Sequence, residues 1–268
     1  MNTLDITAIP ALSDNYVWLV RHGRHALLID PGEAEPVLDY LCVHHLSPTQ
    51  IWVTHQHGDH IGGIAELRRH YSDCRVFGAD NIALADETVR DGSPMDWQGF
   101  RAEAWHTAGH TAEHLCYLLH DGRRSHFFCG DTLFSAGCGR IFPHSRAEWL
   151  FQSFRRIQTL ADDTLLYPAH EYTAANLRFA QYIEPDNPDI AAAAEKAACT
   201  PTLPVSLAHE KRINPFLRAH LPQVRRRAEA LCGRALPSDE AVFIALRELK
   251  NTFARHTKSS LHHENATD

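Results

Sequence analysis

Thr54-His55-Gln56-His57-Gly58-Asp59-His60 decides how this chain is read. It packs three imidazoles and a carboxylate into six residues, directly after the apolar run Ile51-Trp52-Val53. Imidazole nitrogen and carboxylate oxygen hold borderline divalent cations such as zinc, and a strand that stops abruptly lets neighbouring side chains converge on one point. With 20 histidines in 268 residues, a polar loop rich in histidine would account for a single pair. Three further segments, however, bring the same donor types to strand ends: Thr107-Ala108-Gly109-His110, Gly130-Asp131-Thr132 and Pro168-Ala169-His170. The resulting seven donors are what two adjacent cations need if one carboxylate bridges them.

A chain of this length exceeds the common size of one domain, so one large domain or two are expected. Hydrophobic residues at 44% and charged residues at 22% are ordinary for a globular protein. Met1-Asn2-Thr3-Leu4-Asp5 lacks the basic start and apolar core of an export signal, and no apolar run approaches the roughly 18–20 residues of a membrane span. A cytoplasmic protein without a membrane partner is expected. Seven cysteines without a CxxC pair argue against both a disulfide framework and a thiolate zinc site. Residues 1–172 carry 13 Lys/Arg against 22 Asp/Glu, whereas residues 173–268 carry 13 against 11. Bound cations would neutralise part of the first segment's acidity, and the second could help hold an anionic ligand. Arg225-Arg226-Arg227 reads as a solvated helix face, and without a basic stripe interleaved with aromatics no nucleic-acid partner is expected.

Short β-type runs dominate the first half: Leu4–Ile9, Tyr16–Val20, Ala26–Ile29, Ile51–Thr54, Arg75–Phe77, Ala102–His106, Leu115–Leu119, His126–Cys129 and Thr164–Tyr167. Apolar residues at helical spacing place helices at Glu33–His45, Ile64–Tyr71 and Arg146–Leu160, the last with Ser145 as a candidate cap. This mixture predicts two sheets with helices outside. From about Tyr172 the pattern is helical, with Ala174–Ile183, Ile190–Ala198, Leu221–Cys232 and Asp239–Thr257 punctuated by prolines. The expected organisation is a metal-binding domain over 1–172, a helical domain over 173–257 and a disordered tail over 258–268.

Thr54-His55-Gln56-His57-Gly58-Asp59-His60 resembles the T-H-x-H-x-D-H signature of the metallo-β-lactamase fold, and His110, Asp131 and His170 follow in that superfamily's order. Three stretches narrow the likeness to glyoxalase II, the hydroxyacylglutathione hydrolase family: Ile9-Pro10-Ala11-Leu12-Ser13-Asp14-Asn15-Tyr16-Val17-Trp18, the run from Gly130 to Arg140, and the run from His170 to Phe179. The resemblance implies an α+β architecture, an αββα sandwich followed by an all-α domain. It implies His55, His57 and His110 around one divalent metal ion, Asp59, His60 and His170 around a second, and Asp131 between them, with zinc the first choice and iron or manganese compatible. Two cations sharing a water lower its pKa towards neutrality. Asp59 and Asp131 are the expected catalytic carboxylates, Asp59 also accepting a hydrogen bond from that water-derived nucleophile.

The implied reaction is hydrolysis of the thioester S-D-lactoylglutathione to D-lactate and glutathione, the second step of methylglyoxal detoxification, by a monomer. The resemblance assigns glutathione contacts to Arg140, Tyr172, Arg247 and Lys250. Spacing i, i+3 places Arg247 and Lys250 on one helix face, where two cations can grip a carboxylate, although spacing alone equally describes a solvated pair. Pro143-His144 departs from the acidic residue and glycine of many relatives, which bears on specificity rather than on the metal ligands. His114 reads as a brace for the ligand loop, Asp30 as such a brace or a simple turn residue, and Cys138 as part of a tight turn rather than a catalytic thiol. Two other readings share the donors: a glutathione persulfide dioxygenase with a single iron, and a metal-binding module without turnover. The long helical part carrying Arg247 and Lys250 argues against the first. The second is disfavoured because a purely structural zinc site needs only four donors.

Overall fold

The computed structural model of the chain describes residues 4–264. In chain order its elements are β1 (Asp5–Ala11), β2 (Asn15–His22), β3 (His25–Ile29), α1 (Glu35–Val43), β4 (Ser47–Trp52), α2 (Gly58–Ile61), α3 (Ile64–His70), β5 (Arg75–Gly78), β6 (Glu87–Thr88), β7 (Pro94–Trp97) and β8 (Phe100–His106). There follow β9 (Leu115–His120), β10 (Ser125–Gly130), β11 (Leu133–Phe134), β12 (Gly137–Cys138), α4 (Ala147–Ile157), β13 (Leu165–Pro168), α5 (Thr173–Ile183), α6 (Pro188–Lys196), β14 (Val205–Ser206), α7 (Leu207–Ile213), α8 (Pro222–Cys232) and α9 (Asp239–Glu264). The last helix passes the expected end at Thr257, so the expected tail is helical over 258–264; residues 265–268 lie outside the described residues.

One sheet is ordered β1-β2-β3-β4-β5-β6, the other β14-β13-β10-β9-β8-β7, and β11-β12 form a separate hairpin. Side-chain alternation explains the layering. Along β2, Tyr16, Trp18 and Val20 face the space between the sheets while Val17 and Leu19 face α1 and α3. On β9, Leu115, Tyr117 and Leu119 face that same interior while Cys116 and Leu118 turn towards the helices of the other flank. Helices therefore cover both outer faces, giving the expected αββα sandwich. The outer face of the second sheet shares one cluster with the C-terminal helices, Phe127 and Phe154 packing with Phe179, Phe216 and Phe243. Ser145 does not cap α4; its hydroxyl donates to the Gly109 carbonyl at 2.7 Å, tying that helix to the loop that bears His110.

The strands carrying the donor segments end at the same rim. Parallel pairing of β3, β4 and β5 puts the end of β4 beside its neighbours, and β10 runs parallel to β13. Residues just beyond β4, β8, β10 and β13 meet there, lashed by Leu115 N to Thr54 O at 2.8 Å and Ala169 N to Gly130 O at 3.1 Å. Gly130 has φ +47°, and a Cβ there would lie 2.5 Å from Thr54 Oγ1 and 2.8 Å from His114 Nε2. Only glycine allows the chain to turn from β10 into Asp131 at this point.

Candidate metal centre and cleft

The donors form two adjoining groups. His57 Nδ1 lies 2.9 Å from His55 Nε2 and 3.0 Å from His110 Nε2. Beside them, Asp59 Oδ2 is 3.6 Å from His60 Nε2 and 3.4 Å from His170 Nε2. Asp131 spans both: Oδ1 is 3.4 Å from His60 Nε2 and from His170 Nε2, and Oδ2 is 3.4 Å from His110 Nε2. The structure thus brings all seven residues to one place, with Asp131 central.

Their chemistry fits cations. His60 Nε2 and Asp131 Oδ1 are buried without a hydrogen-bond partner, a costly state for a charged or polar atom unless another ligand completes it. Burial, reinforced by the neighbouring imidazoles, holds His55 well below its ordinary pKa. Burial also pushes His57 down, and lowers His110 to about 4 against the pull of Asp131. These rings are neutral, with lone pairs available. At His60 burial alone would lower the value, but Asp131, Asp30 and Asp59 override it and lift it to about 9. Asp59 is held below the usual carboxylate range, chiefly by its hydrogen bond with His170.

Surrounding groups fix the rings. Asp30 accepts from Thr54 N and Oγ1, both at 2.7 Å, and lies 3.0 Å from His60 Nδ1. That is the bracing role, not the simple turn. His114 stacks on His55 with centroids 4.9 Å apart and accepts from Asp131 N at 3.1 Å, so it braces the loop through the backbone as expected. His110 Nδ1 is 2.8 Å from the Arg140 carbonyl, and His170 Nδ1 is 2.7 Å from Asp14 Oδ1. Asn15 Nδ2 donates to Asp59 O and Oδ2, both at 3.2 Å. Sequence reasoning assigned Asp14 and Asn15 no role of their own, although both lie in the Ile9–Trp18 stretch that carries the family resemblance, at the entry to β2.

Five of the donors, His57, Asp59, His110, Asp131 and His170, face a cleft of about 610 Å³ that is also lined by Phe134, Arg140, Phe142, Tyr172, Arg247 and Lys250, while His55 and His60 are buried behind it. Tyr172 stacks on His170 at 4.7 Å between centroids, and Phe142 leans on His57 at 4.6 Å. All four expected substrate contacts therefore lie on this cleft, but they differ in freedom. Arg247 is buried, and its guanidinium donates to the Cys138 and Gly139 carbonyls at 3.1 and 3.3 Å and to Asn251 Oδ1 at 3.0 Å, so it chiefly holds the cleft wall. Lys250 donates to Asn176 Oδ1, and burial, with the Arg247 cation second, lowers its amine to about 7. Cys138 belongs to the β11–β12 hairpin, where burial raises its thiol, consistent with a structural role. Pro143 and His144 occupy the exposed loop after Phe142.

Comparison with known proteins covers both the part of the chain that bears the donors and the helical part after it. A family model described as hydroxyacylglutathione hydrolase C-terminus matches residues 171–253, and one described as metallo-beta-lactamase superfamily matches 12–100 and 85–170. A hydroxyacylglutathione hydrolase of Neisseria meningitidis serogroup B is 53% identical over 250 residues, 93% of this chain and 99% of the relative. That of Aeromonas hydrophila is 40% identical over 256 residues, 92% and 99%. Among solved structures, ETHE1 from Myxococcus xanthus superposes with a TM-score of 0.64 at 28% identity, covering 92% of this chain and 90% of the other. The BLEG-1 B3 metallo-beta-lactamase gives 0.61 at 20% identity, covering 80% and 99%, a likeness of fold.

Proposed function

This chain belongs to the hydroxyacylglutathione hydrolase family of the metallo-beta-lactamase superfamily, and from that premise we propose that it hydrolyses S-D-lactoylglutathione to D-lactate and glutathione. The observation that carries the reading is one cleft lined both by five of the seven converging donors, with His55 and His60 buried behind them, and by the α9 cations. The His55/His57/His110 and Asp59/His60/His170 groups would each hold a divalent cation with Asp131 between them, zinc being the first choice for imidazole and carboxylate donors. When bound, such ions supply Lewis-acid polarisation of the acyl carbonyl and acidify water.

The remaining work falls to this chain's side chains. Asp59, kept ionised by His170 and held by Asn15, can accept a hydrogen bond from the attacking water and orient it. Phe134, Phe142 and Tyr172 form a wall that limits water around the thioester. The leaving thiolate has an ordinary pKa of about 8.5, so it departs without a dedicated acid. Lys250 offers a positive end for a glutathione carboxylate, while Arg247 holds the wall beside it and adds charge. We place the reaction in the cytosol, where the seven free cysteines would stay reduced, and expect a monomer.

Purified, metal-loaded protein is expected to turn over S-D-lactoylglutathione rapidly, to lose that activity with a chelator, and to act poorly on the same acyl thioester lacking the γ-glutamyl and glycine ends. Absence of turnover by metal-loaded protein would overturn the reading, and oxygen uptake with glutathione persulfide would then be the next assay.

A second prediction concerns pH. The Lys250 cation is present below about pH 7 and is lost as pH rises through that value. KM for the anionic substrate is therefore expected to climb above neutrality. Lys250→Met should raise KM about 10-fold at pH 6, the loss of one charge-assisted contact, and flatten the climb. A Lys250→Met protein with the wild-type KM profile would remove Lys250 from substrate binding.

A further inference from the structure

Different parts of the fold hold the two donor groups. In the first, His55 Nδ1 is 3.0 Å from Thr54 Oγ1 and His110 Nδ1 is 2.8 Å from the Arg140 carbonyl. The second is braced from the short turn between β1 and β2 and from the first residue of β2. There Asp14 Oδ1 meets His170 Nδ1 at 2.7 Å, and Asn15 Nδ2 donates to Asp59 O and Oδ2 at 3.2 Å. The turn is itself tied down: Glu171 N donates to Asp14 O at 2.9 Å, Tyr16 N to Ala169 O at 2.7 Å, and Leu12 N to Glu33 Oε2 at 2.8 Å. Among the described hydrogen bonds and ion pairs, neither Asp14 nor Asn15 reaches His55, His57 or His110.

We propose that Asp14 and Asn15 are positioning residues that set the metal affinity of the Asp59/His60/His170 group separately from that of the His55/His57/His110 group. The inference rests on the two-metal reading given above. An acceptor at Nδ1 keeps a proton on that nitrogen of His170, so that when a cation binds it is Nε2 that gives up its hydrogen bond to Asp59 and turns its lone pair to the ion. The Asn15 amide holds the Asp59 carboxylate by its Oδ2 and its main chain together, leaving that side chain little room to rotate away. Asp30 acts differently, because it touches both groups, through Thr54 and through His60. Loss of Asp30 should disturb the whole centre, whereas loss of Asp14 or Asn15 should disturb one half.

The test is metal binding. Metal-free full-length wild type, Asp14→Ala, Asp14→Asn and Asn15→Ala would be titrated with cobalt(II), followed by visible absorption, and with zinc against a chromophoric chelator. Wild type is expected to take two ions per chain. Asp14→Ala and Asn15→Ala should keep one ion at wild-type affinity and bind the other about 10–100-fold more weakly. Asp14→Asn, which keeps an acceptor oxygen and the packing of a partly exposed side chain, should fall between, and it serves as the folded comparison should an alanine variant unfold. Equal weakening of both ions, or wild-type affinity for both in all three variants, would overturn the proposal alone. Uptake of a single ion by wild type would overturn it together with the two-metal reading.

Discussion

An Asp131→Ala protein is expected to lose metal and activity together, hydrolysing S-D-lactoylglutathione at least about 10³-fold more slowly than wild type, beyond the loss of a single electrostatic donor. Geometry sets the size of this effect. Asp131 is the one side chain whose two oxygens face both donor groups, Oδ1 towards His60 and His170 and Oδ2 towards His110. Removing any other donor leaves one group complete; removing Asp131 takes a ligand from each. The fold should survive, because its contribution to loop structure is made by the backbone, through Asp131 N to His114 Nε2 at 3.1 Å. Its Oδ1 is buried without a hydrogen-bond partner while its charge helps hold His60 protonated, so the metal-free variant is expected to stay folded with a Tm close to that of the metal-free wild type. Metal analysis, turnover and thermal unfolding of both forms separate the possibilities. An alanine variant that keeps two ions per chain would remove Asp131 from its bridging position, and one that unfolds when metal-free would show that the carboxylate supports the fold directly.

The seven candidate donors were legible because each follows closely on an apolar strand, Asp59 and His60 within the short α2 after β4, and strand ends are where local pattern and three-dimensional position coincide. His55, His57, Asp59 and His60 are neighbours in sequence, and the remaining three donors needed only the expectation that strand ends gather at one rim. The residues that orient those donors were less legible for a definite reason. Asp14 meets His170 across 156 positions and Asn15 meets Asp59 across 44, and neither partner leaves a mark on the local pattern of the other. Asp30 illustrates the boundary: its place after β3 allowed both a turn and a brace, and only the approach of Thr54 and His60 decides between them. The missed elements share brevity. β6, β11, β12 and β14 are two residues each, too short for an alternation to show, β7 and α2 span four each, and α7 spans seven residues, under two full turns of apolar repeat. Its start could have been found, since Ser206 accepts from His209 N at 3.2 Å as a capping residue should. Arg247 shows the opposite limit. Spacing placed it correctly beside Lys250, yet its engagement with the Cys138 and Gly139 carbonyls depends on a hairpin whose existence the sequence pattern did not reveal.

That hairpin explains how the helical part shapes the cleft. β11 and β12 follow Asp131 directly and contribute Phe134 and Cys138 to the wall, with Ala136 at φ +53° in their turn. A non-glycine residue in the left-handed region is strained and persists only when its surroundings hold it. Here the holders come from three C-terminal helices. Asn176 on α5 donates to Ser135 O at 2.8 Å, Arg247 on α9 grips Cys138 O, and Asn214, just after α7, donates to Phe134 O at 3.2 Å and Gly137 O at 3.0 Å. The centre of this clamp is Glu210, fully buried on α7, which accepts from Ser135 Oγ at 2.7 Å, Ala136 N at 2.8 Å and Asn214 Nδ2 at 3.0 Å.

Glu210→Ala is therefore expected to cost about 3–5 kcal/mol of stability, because three buried donors lose their acceptor at once. In a chain of this size that is a fall in Tm of about 10 °C. A pH signature distinguishes the acceptor role from simple packing. Burial raises the Glu210 carboxyl from an ordinary value of 4.5 to about 7, against the three hydrogen bonds that favour its ionised form. The folded state thus holds a proton that the unfolded chain has already released between those values. Stability from this group is fully present below about pH 4.5 and is lost as pH rises towards and through 7, by a total of about 3 kcal/mol. Glu210→Gln, neutral at every pH and able to accept through one oxygen, should remove that part of the slope and cost less than alanine. Urea unfolding of metal-free wild type and both variants between pH 5 and 8 measures each quantity. A Glu210→Gln slope equal to that of wild type would assign the pH dependence to other groups. If alanine proved as stable as glutamine, the three donors would have found other acceptors and the clamp would not depend on this carboxyl. Because Phe134 and Cys138 move with the hairpin, the same alanine variant should also raise KM for the thioester, linking a buried residue on α7 to substrate binding through the strained turn it holds.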